Sequence, residues 1–260
     1  MVRDLLEHRD LLWLLTLREI RIRYARAVLG LGWALFVPVA QMAAFTVLDF
    51  GRLLRGEDAY AGLPYSVYAF VGILPWTHFA ASLAQATPSL VVASNLLKKS
   101  AFPREVIPLS KVLAATLDLL VGTAVLGLLM AWHGITPGAA VLAVPAVFLL
   151  QFVFTVGLAL LLSAGNLFFR DVNYLVSVGL LLGMFATSVV WPVSVTRPPW
   201  AASVLALNPM TSFLDAYREA ILLGRWPWGT LLPGAAGAVL SILVGAAVFR
   251  RLAPRFAEEV

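Results

Sequence analysis

Asp118 is the residue of this chain most open to a chemical reading. It lies about ten residues into a long apolar run, where a carboxylate could carry a proton or ion or touch a translocated molecule. The plainer reading is a structural carboxylate hydrogen-bonded to a neighbouring helix. That reading is favoured, because a secondary transporter needs several intramembrane polar groups and broken, paired segments. Asp49 falls at the outer end of an earlier run, where it can reach water. His8, His78 and His133 are far apart and share no ligand spacing, which argues against a metal site. The chain has no cysteine, so disulfides, thiolate metal sites and Cys nucleophiles are excluded. No segment matches G-x-x-x-x-G-K-[ST], so the chain cannot hold a nucleotide in a P-loop. No nucleophile elbow supports Ser–His–Asp catalysis. The expectation is a chain that changes no covalent bond and binds no cofactor itself.

Two polar segments carry more pattern than connection alone needs. In NLLKKSAFPREVIPLSK (95–111), Pro103 and Pro108 bracket a short turn or helix. Phe102 is apolar there and expected to be exposed, with Lys99, Arg104 and Glu105 beside it, which suits a docking knob for a cytoplasmic partner. A basic loop that only fixes topology is the plain alternative. GNLFFRDVNYL repeats the theme with Phe168, Phe169, Arg170 and Asp171.

The elements that must position these groups are membrane helices. Hydrophobic residues make up 61% of the chain and charged residues 13%. Soluble domains run at about 45–50% and 25%, so this chain needs lipid as its solvent. Spans of about 20 apolar residues cross a hydrocarbon layer roughly 30 Å thick. Six are predicted, at 28–50, 66–92, 109–132, 139–164, 172–193 and 229–249, all helical because backbone groups find no water in lipid. Pro75 and Pro88 should bend or break the second. Fourteen of the 19 Lys and Arg residues alternate with these spans in four clusters: Arg3 to Arg26, Lys98 to Lys111, Arg170, and Arg250 to Arg255. Basic loops stay in the cytoplasm, so both termini are read as cytoplasmic. Arg52, Arg55, Arg197, Arg218 and Arg225 lie in the other loops, mostly balanced by Glu57, Asp58, Asp215 and Glu219. The net charge of +5 is then an orientation signal and an attraction to anionic headgroups rather than a nucleic-acid footprint. No cleavable signal peptide is visible, and the chain reads as one domain.

Residues 1–27 read as an amphipathic interface helix. Trp13, Leu17, Ile20 and Tyr24 share one face, with Arg18, Arg21, Arg23 and Arg26 around the rest and turned towards phosphate. A solvated basic leader is the alternative. Residues 194–228 lie outside and are too polar and proline-rich to span. Within them, NPMTSFLDAYREAILLG has Asn208 to cap a helix, Pro209 for its first turn and Gly224 to end it. Its apolar positions 210, 213, 214, 217 and 221 form one face, predicting short helices that dip into the outer leaflet or lie on it.

Six segments in order carry a resemblance. They are REIRIRYARAVLGLGWALFVPV (18–39), GILPWTHF (72–79), NLLKKSAFPREVIPLSKV (95–112), NLFFRDVNYLV (166–176), NPMTSFLDAYREAILLG (208–224) and FRRLAPRFAEEV (249–260). The chain resembles the permease subunit of ABC-2 type polysaccharide exporters, the family that exports O-antigen, capsule and teichoic acid chains. The resemblance covers nearly the whole length and implies a half-transporter in the bacterial inner membrane. Two copies would form the passage, and two copies of a separate ATPase would bind ATP and magnesium. Residues 1–27 would sit at the membrane–ATPase boundary, and the 95–108 loop would hold the coupling helix with Lys98, Lys99, Phe102, Pro103, Arg104 and Glu105. Phe168, Phe169, Arg170 and Asp171 would form a cytoplasmic gate, and residues 197–226 the outer gate helices. The implied cargo is a long glycan, often on an undecaprenyl carrier.

Aromatic residues are spread through the spans, most of them suited to interface belts or packing. Trp33, Phe36 and Trp76 are first choices for a glycan path, since they lie in the best-matched segments of spans one and two. The same scaffold exporting a drug or small lipid is one rival reading. An integral-membrane glycolipid enzyme is another, and would need an acid or histidine cluster at one membrane face. A proton-coupled carrier using Asp118 is the third.

Overall fold

The computed structural model describes residues 6–25, 30, 32–53, 62–99, 102–190, 205 and 207–259, and every regular element in them is helical. In chain order these are α1 (Arg9–Tyr24), α2 (Gly32–Leu53), α3 (Tyr65–Ala86), α4 (Ser89–Val92), α5 (Ser94–Lys99) and α6 (Val106–Trp132). There follow a 3-10 turn (Ala139–Ala143), α7 (Val144–Phe168), α8 (Asp171–Phe185), α9 (Pro209–Ile221), α10 (Leu232–Leu252) and a last 3-10 turn (Ala253–Ala257). Among the described residues, four stretches are long and apolar enough to cross a bilayer: Tyr65–Ala86, Val106–Trp132, Ala139–Phe168 and Leu232–Phe256. Gly32–Leu48 and Asp171–Phe185 are apolar but shorter.

Helix α3 is the axis of the bundle. Some 78% of its apolar stretch is buried, against 28–33% for the other three long helices. It is also the least apolar of the four, and lipid explains why. Helices that face acyl chains must be apolar outwards, whereas a helix enclosed by others can carry polar side chains if they find partners. His78 does so, its Nε2 lying 3.3 Å from the Thr116 hydroxyl, with its ring edge-on to Phe148. Hydroxyls elsewhere close on the carbonyl one turn back, as in Thr87 to Leu83 and Thr155 to Gln151.

Pro75 does not break α3, which runs on to Ala86; the chain turns at Pro88 instead, and α4 begins directly after it. In lipid-embedded bundles neighbouring helices re-satisfy backbone groups that a proline frees. The carbonyl that Pro75 leaves without its helical donor is that of Val71, four residues back, while Gln151 of α7 braces the helix at the proline itself, donating to the Pro75 carbonyl at 2.8 Å. The predicted fifth span, 172–193, is helical only to Phe185, and its last residues fall outside the described ones. The segment predicted to dip or float is α9. Asn208 caps it by accepting from Met210 N–H at 3.0 Å, Pro209 follows, and Gly224 takes a positive φ of 62° beyond its end. Phe213, Leu214, Ala216 and Ala220 are fully buried, so α9 is packed into the bundle rather than laid along its surface.

The closest helix pair is α7 with α10. A methyl group on Gly157 would overlap the backbone of Ser241 and Ile242, and one on Gly245 would overlap the backbone of Gly157. Small residues let two backbones approach in lipid, where dispersion contacts replace the hydrophobic drive.

Candidate functional site

Two salt bridges hold α1 to α6. Lys111 Nζ lies 2.5 Å from Glu19 Oε2, and Arg23 pairs with Asp118. The Tyr24 hydroxyl donates to the other Asp118 oxygen, and Arg23 Nη2 donates to Gln85 Oε1 of α3 at 2.5 Å. Both oxygens of Asp118 are therefore engaged, as in the structural role favoured for it. The four ionic side chains are 15–21% exposed, so these pairs are screened less than surface ones. Burial, and after it the Asp118 carboxylate, push the Tyr24 phenol up to about 12, which keeps it a donor.

The signs alternate along this junction. Glu19 and Arg23 are one turn apart on α1, and their partners Lys111 and Asp118 are two turns apart on α6. Both pairs follow the chain direction, so the helices run in the same sense where they touch. Reversing α1 would set Glu19 against Asp118 and Arg23 against Lys111, like against like. Arg23, expected to face headgroup phosphate, thus turns inwards, while Arg18 and Arg21 are exposed. Arg26 lies outside the described residues.

A second charged junction sits in α9 and was not anticipated as such. Arg218 pairs with Asp215 at 3.3 Å, its side chain 5% exposed. Its Nη2 donates to the Val189 carbonyl at 2.7 Å, and its guanidinium lies 4.1 Å from the Tyr68 ring centroid of α3. Ser188 donates to Asp215 at 2.7 Å. Gly72 of α3 makes the space, since a methyl there would overlap both the guanidinium and the Val189 carbonyl. A signal was present: Arg218 is four residues after Leu214 and three before Ile221, within the apolar stripe.

The expected coupling residues lie around the start of α6. Lys98 and Lys99 close α5, and Phe102, Pro103, Arg104 and Glu105 are half-buried. Arg104 donates to the Ala253 carbonyl and its guanidinium lies over the Phe256 ring, 5.8 Å from its centroid. Of the expected gate residues, Phe168 is half-buried with its ring 6.2 Å from that of Phe256. Phe169, Arg170 and Asp171 are exposed where α7 turns into α8.

The three path aromatics fall in two environments. Trp33 and Phe36 are 44% and 56% exposed and meet edge-on at 5.4 Å. Trp33 borders a cavity of about 260 Å³ that also reaches Arg23, Tyr24, Thr77, His78 and Asp118. Trp76 is buried, its ring tilted on Phe79 at 5.6 Å and close against Gly183. From Phe79 an aromatic chain continues through Phe154 to Phe213, tying α3 to α7 and α9.

An apolar helix bundle with polar ties at both ends is the setting in which the comparisons with known proteins fall. An O-antigen export system permease protein of Myxococcus xanthus is 32% identical over 262 aligned residues, covering 100% of this chain and 99% of the relative. Two O-antigen export system permease proteins of Klebsiella pneumoniae are 29% and 30% identical, each covering 96% of this chain and 94% of the relative. The family model described as ABC-2 type transporter matches residues 10–222. That match runs from α1 through α9 and takes in both charged junctions, and the chain belongs to the ABC-2 type transporter family.

Proposed function

We propose that the chain is the permease subunit of an ATP-driven exporter that moves a lipid-linked, O-antigen-like polysaccharide outwards across the bacterial inner membrane. The observation that carries this reading is the end-to-end match to permeases named for O-antigen export. Two copies form the passage, and two copies of a separate ATPase bind ATP and magnesium. This chain supplies path, gates and docking surface.

In this reading both termini are cytoplasmic and six helices span, with α2 and α8 as spans one and five. Helix α8 has 15 residues, about 22 Å at 1.5 Å each, so residues beyond Phe185 complete the crossing of a layer roughly 30 Å thick. A second copy and the glycan itself account for the bare faces of α2 and α8. None of the residues of α8 is buried, and Leu175, Val178, Leu181, Leu182 and Phe185 are exposed, as are Trp33 and Phe36 of α2. Helix α1 presents Arg18 and Arg21 to headgroup phosphate or the ATPase, while Glu19 and Arg23 hold it to α6. ATP-driven closure of the ATPase dimer pushes on α5 and the 102–105 loop and opens the passage alternately to each side.

The test is co-expression with a partner ATPase, followed by mass measurement of the solubilised complex and a lectin assay for glycan at the cell surface. Export should require the ATPase and survive collapse of the proton gradient while ATP is held constant. Transport by a lone monomer, or transport lost with the gradient, overturns the reading.

A further inference from the structure

Three segments that are distant in the chain converge on one ring. Phe256, in the turn after α10, is fully buried. Phe249 of α10 meets it edge-on at 5.1 Å, and Phe168 at the end of α7 lies 6.2 Å away. On another side the Arg104 guanidinium lies 5.8 Å from the ring centroid and donates to the Ala253 carbonyl of the same turn. Phe256 is therefore in contact with the loop before α6 and with the turn between α7 and α8. Close-packed side chains have two arrangements rather than a continuum, so a displacement at one edge of such a ring is passed on rather than absorbed.

We infer that Phe256 is a positioning residue that transmits movement of the 102–105 loop to Phe168 and so to the start of α8. The inference rests on the exporter reading above and adds the route by which the ATPase stroke reaches the gate. Burial alone needs only apolar neighbours around Phe256. Arg104 adds a directional tie, because its guanidinium donates to the Ala253 carbonyl of the same turn and lies within cation–π reach of the ring face. Phe168 adds the outlet, since exposed Phe169, Arg170 and Asp171 follow it directly.

The lack of cysteine makes a clean test possible. Arg170→Cys is introduced as the single thiol, and its rate of labelling by a membrane-impermeant maleimide is measured in the complex with its ATPase. Labelling is compared without nucleotide and with ATP plus vanadate, alongside ATP hydrolysis and the melting temperature. With Phe256 in place, ATP should change the labelling rate. Phe256→Ala should lose that change while hydrolysis continues, and Phe256→Tyr, which keeps the ring, should retain it. Phe256→Leu fills most of the space without offering Arg104 a ring face, and should reduce the change at unchanged melting temperature; it decides the matter if the Ala variant does not fold. A full ATP-driven change in the Ala or Leu variant overturns the inference and leaves the exporter reading standing. No ATP-driven change with native Phe256 removes both.

Discussion

Where α1 meets α6, each charge finds its opposite on another helix; Arg218 of α9 finds its carboxylate three residues back on its own. The α1–α6 junction joins two elements through charge itself, and its alternating signs accept one register. In the α9 junction the charge is balanced within the helix. The tie to the rest of the bundle runs instead through neutral groups, the Val189 carbonyl and the Tyr68 ring. Charge reversal on both sides should therefore be tolerated at the first and not at the second. Shape and donor geometry should matter at the second and less at the first.

The largest expected effect is at Arg218. Replacing it with Ala leaves Asp215 without its cation and the Val189 carbonyl without a donor, at a cost of about 3 kcal/mol or more. Arg218→Lys should recover little, because an ammonium offers neither the planar stack nor the fork. The apparent unfolding midpoint of the purified protein in detergent measures both, and a Lys variant as stable as native would remove the distinction between the junctions.

Next comes the Arg23–Asp118 pair. Arg23→Asp and Asp118→Arg should each cost about 2 kcal/mol, a value below that of fully buried pairs because the groups are partly exposed. The doubly exchanged protein should regain more than half of the loss, read as a double-mutant cycle in the same melting assay. The equivalent exchange of Asp215 and Arg218 should regain little. Equal recovery at both sites would show that charge alone governs both.

The smallest effect on stability belongs beside the α1–α6 junction, on its exposed side. Trp33→Ala and Phe36→Ala should change stability by no more than about 0.5 kcal/mol. Export per folded transporter should nevertheless fall, and an aromatic replacement at either position should restore it, because sugar rings need a flat apolar face. Normal export from both Ala variants would make this face a packing or lipid surface.

What the sequence made legible was local or periodic. Asn208, Pro209 and Gly224 mark the ends of α9 because capping depends on backbone geometry within a few residues. The apolar runs mark the four long helices for the same reason, and the order of short motifs marks the family. Depth and partnership were harder to read. Arg104 finds its acceptor at Ala253, 149 positions away, and no pattern within its own loop points there. Arg23 has the spacing of a headgroup-facing residue, yet turns inwards because Asp118 lies 95 positions further on. Hydropathy gives the length of an apolar run, not the point where its helix stops, which is why the described part of 172–193, up to Val190, is helical only to Phe185.

The glycine contact between α7 and α10 has a consequence for how the protein is made. About 90 residues separate Gly157 from Gly245, so at about 5–20 residues per second some 5–20 s of translation pass between them. During that interval α7 is made without the helix whose backbone, at Ser241, Ile242 and Gly245, comes close against Gly157. The bundle thus closes late, since the groove at Gly157 can be filled by its native neighbour only after α10 has been made.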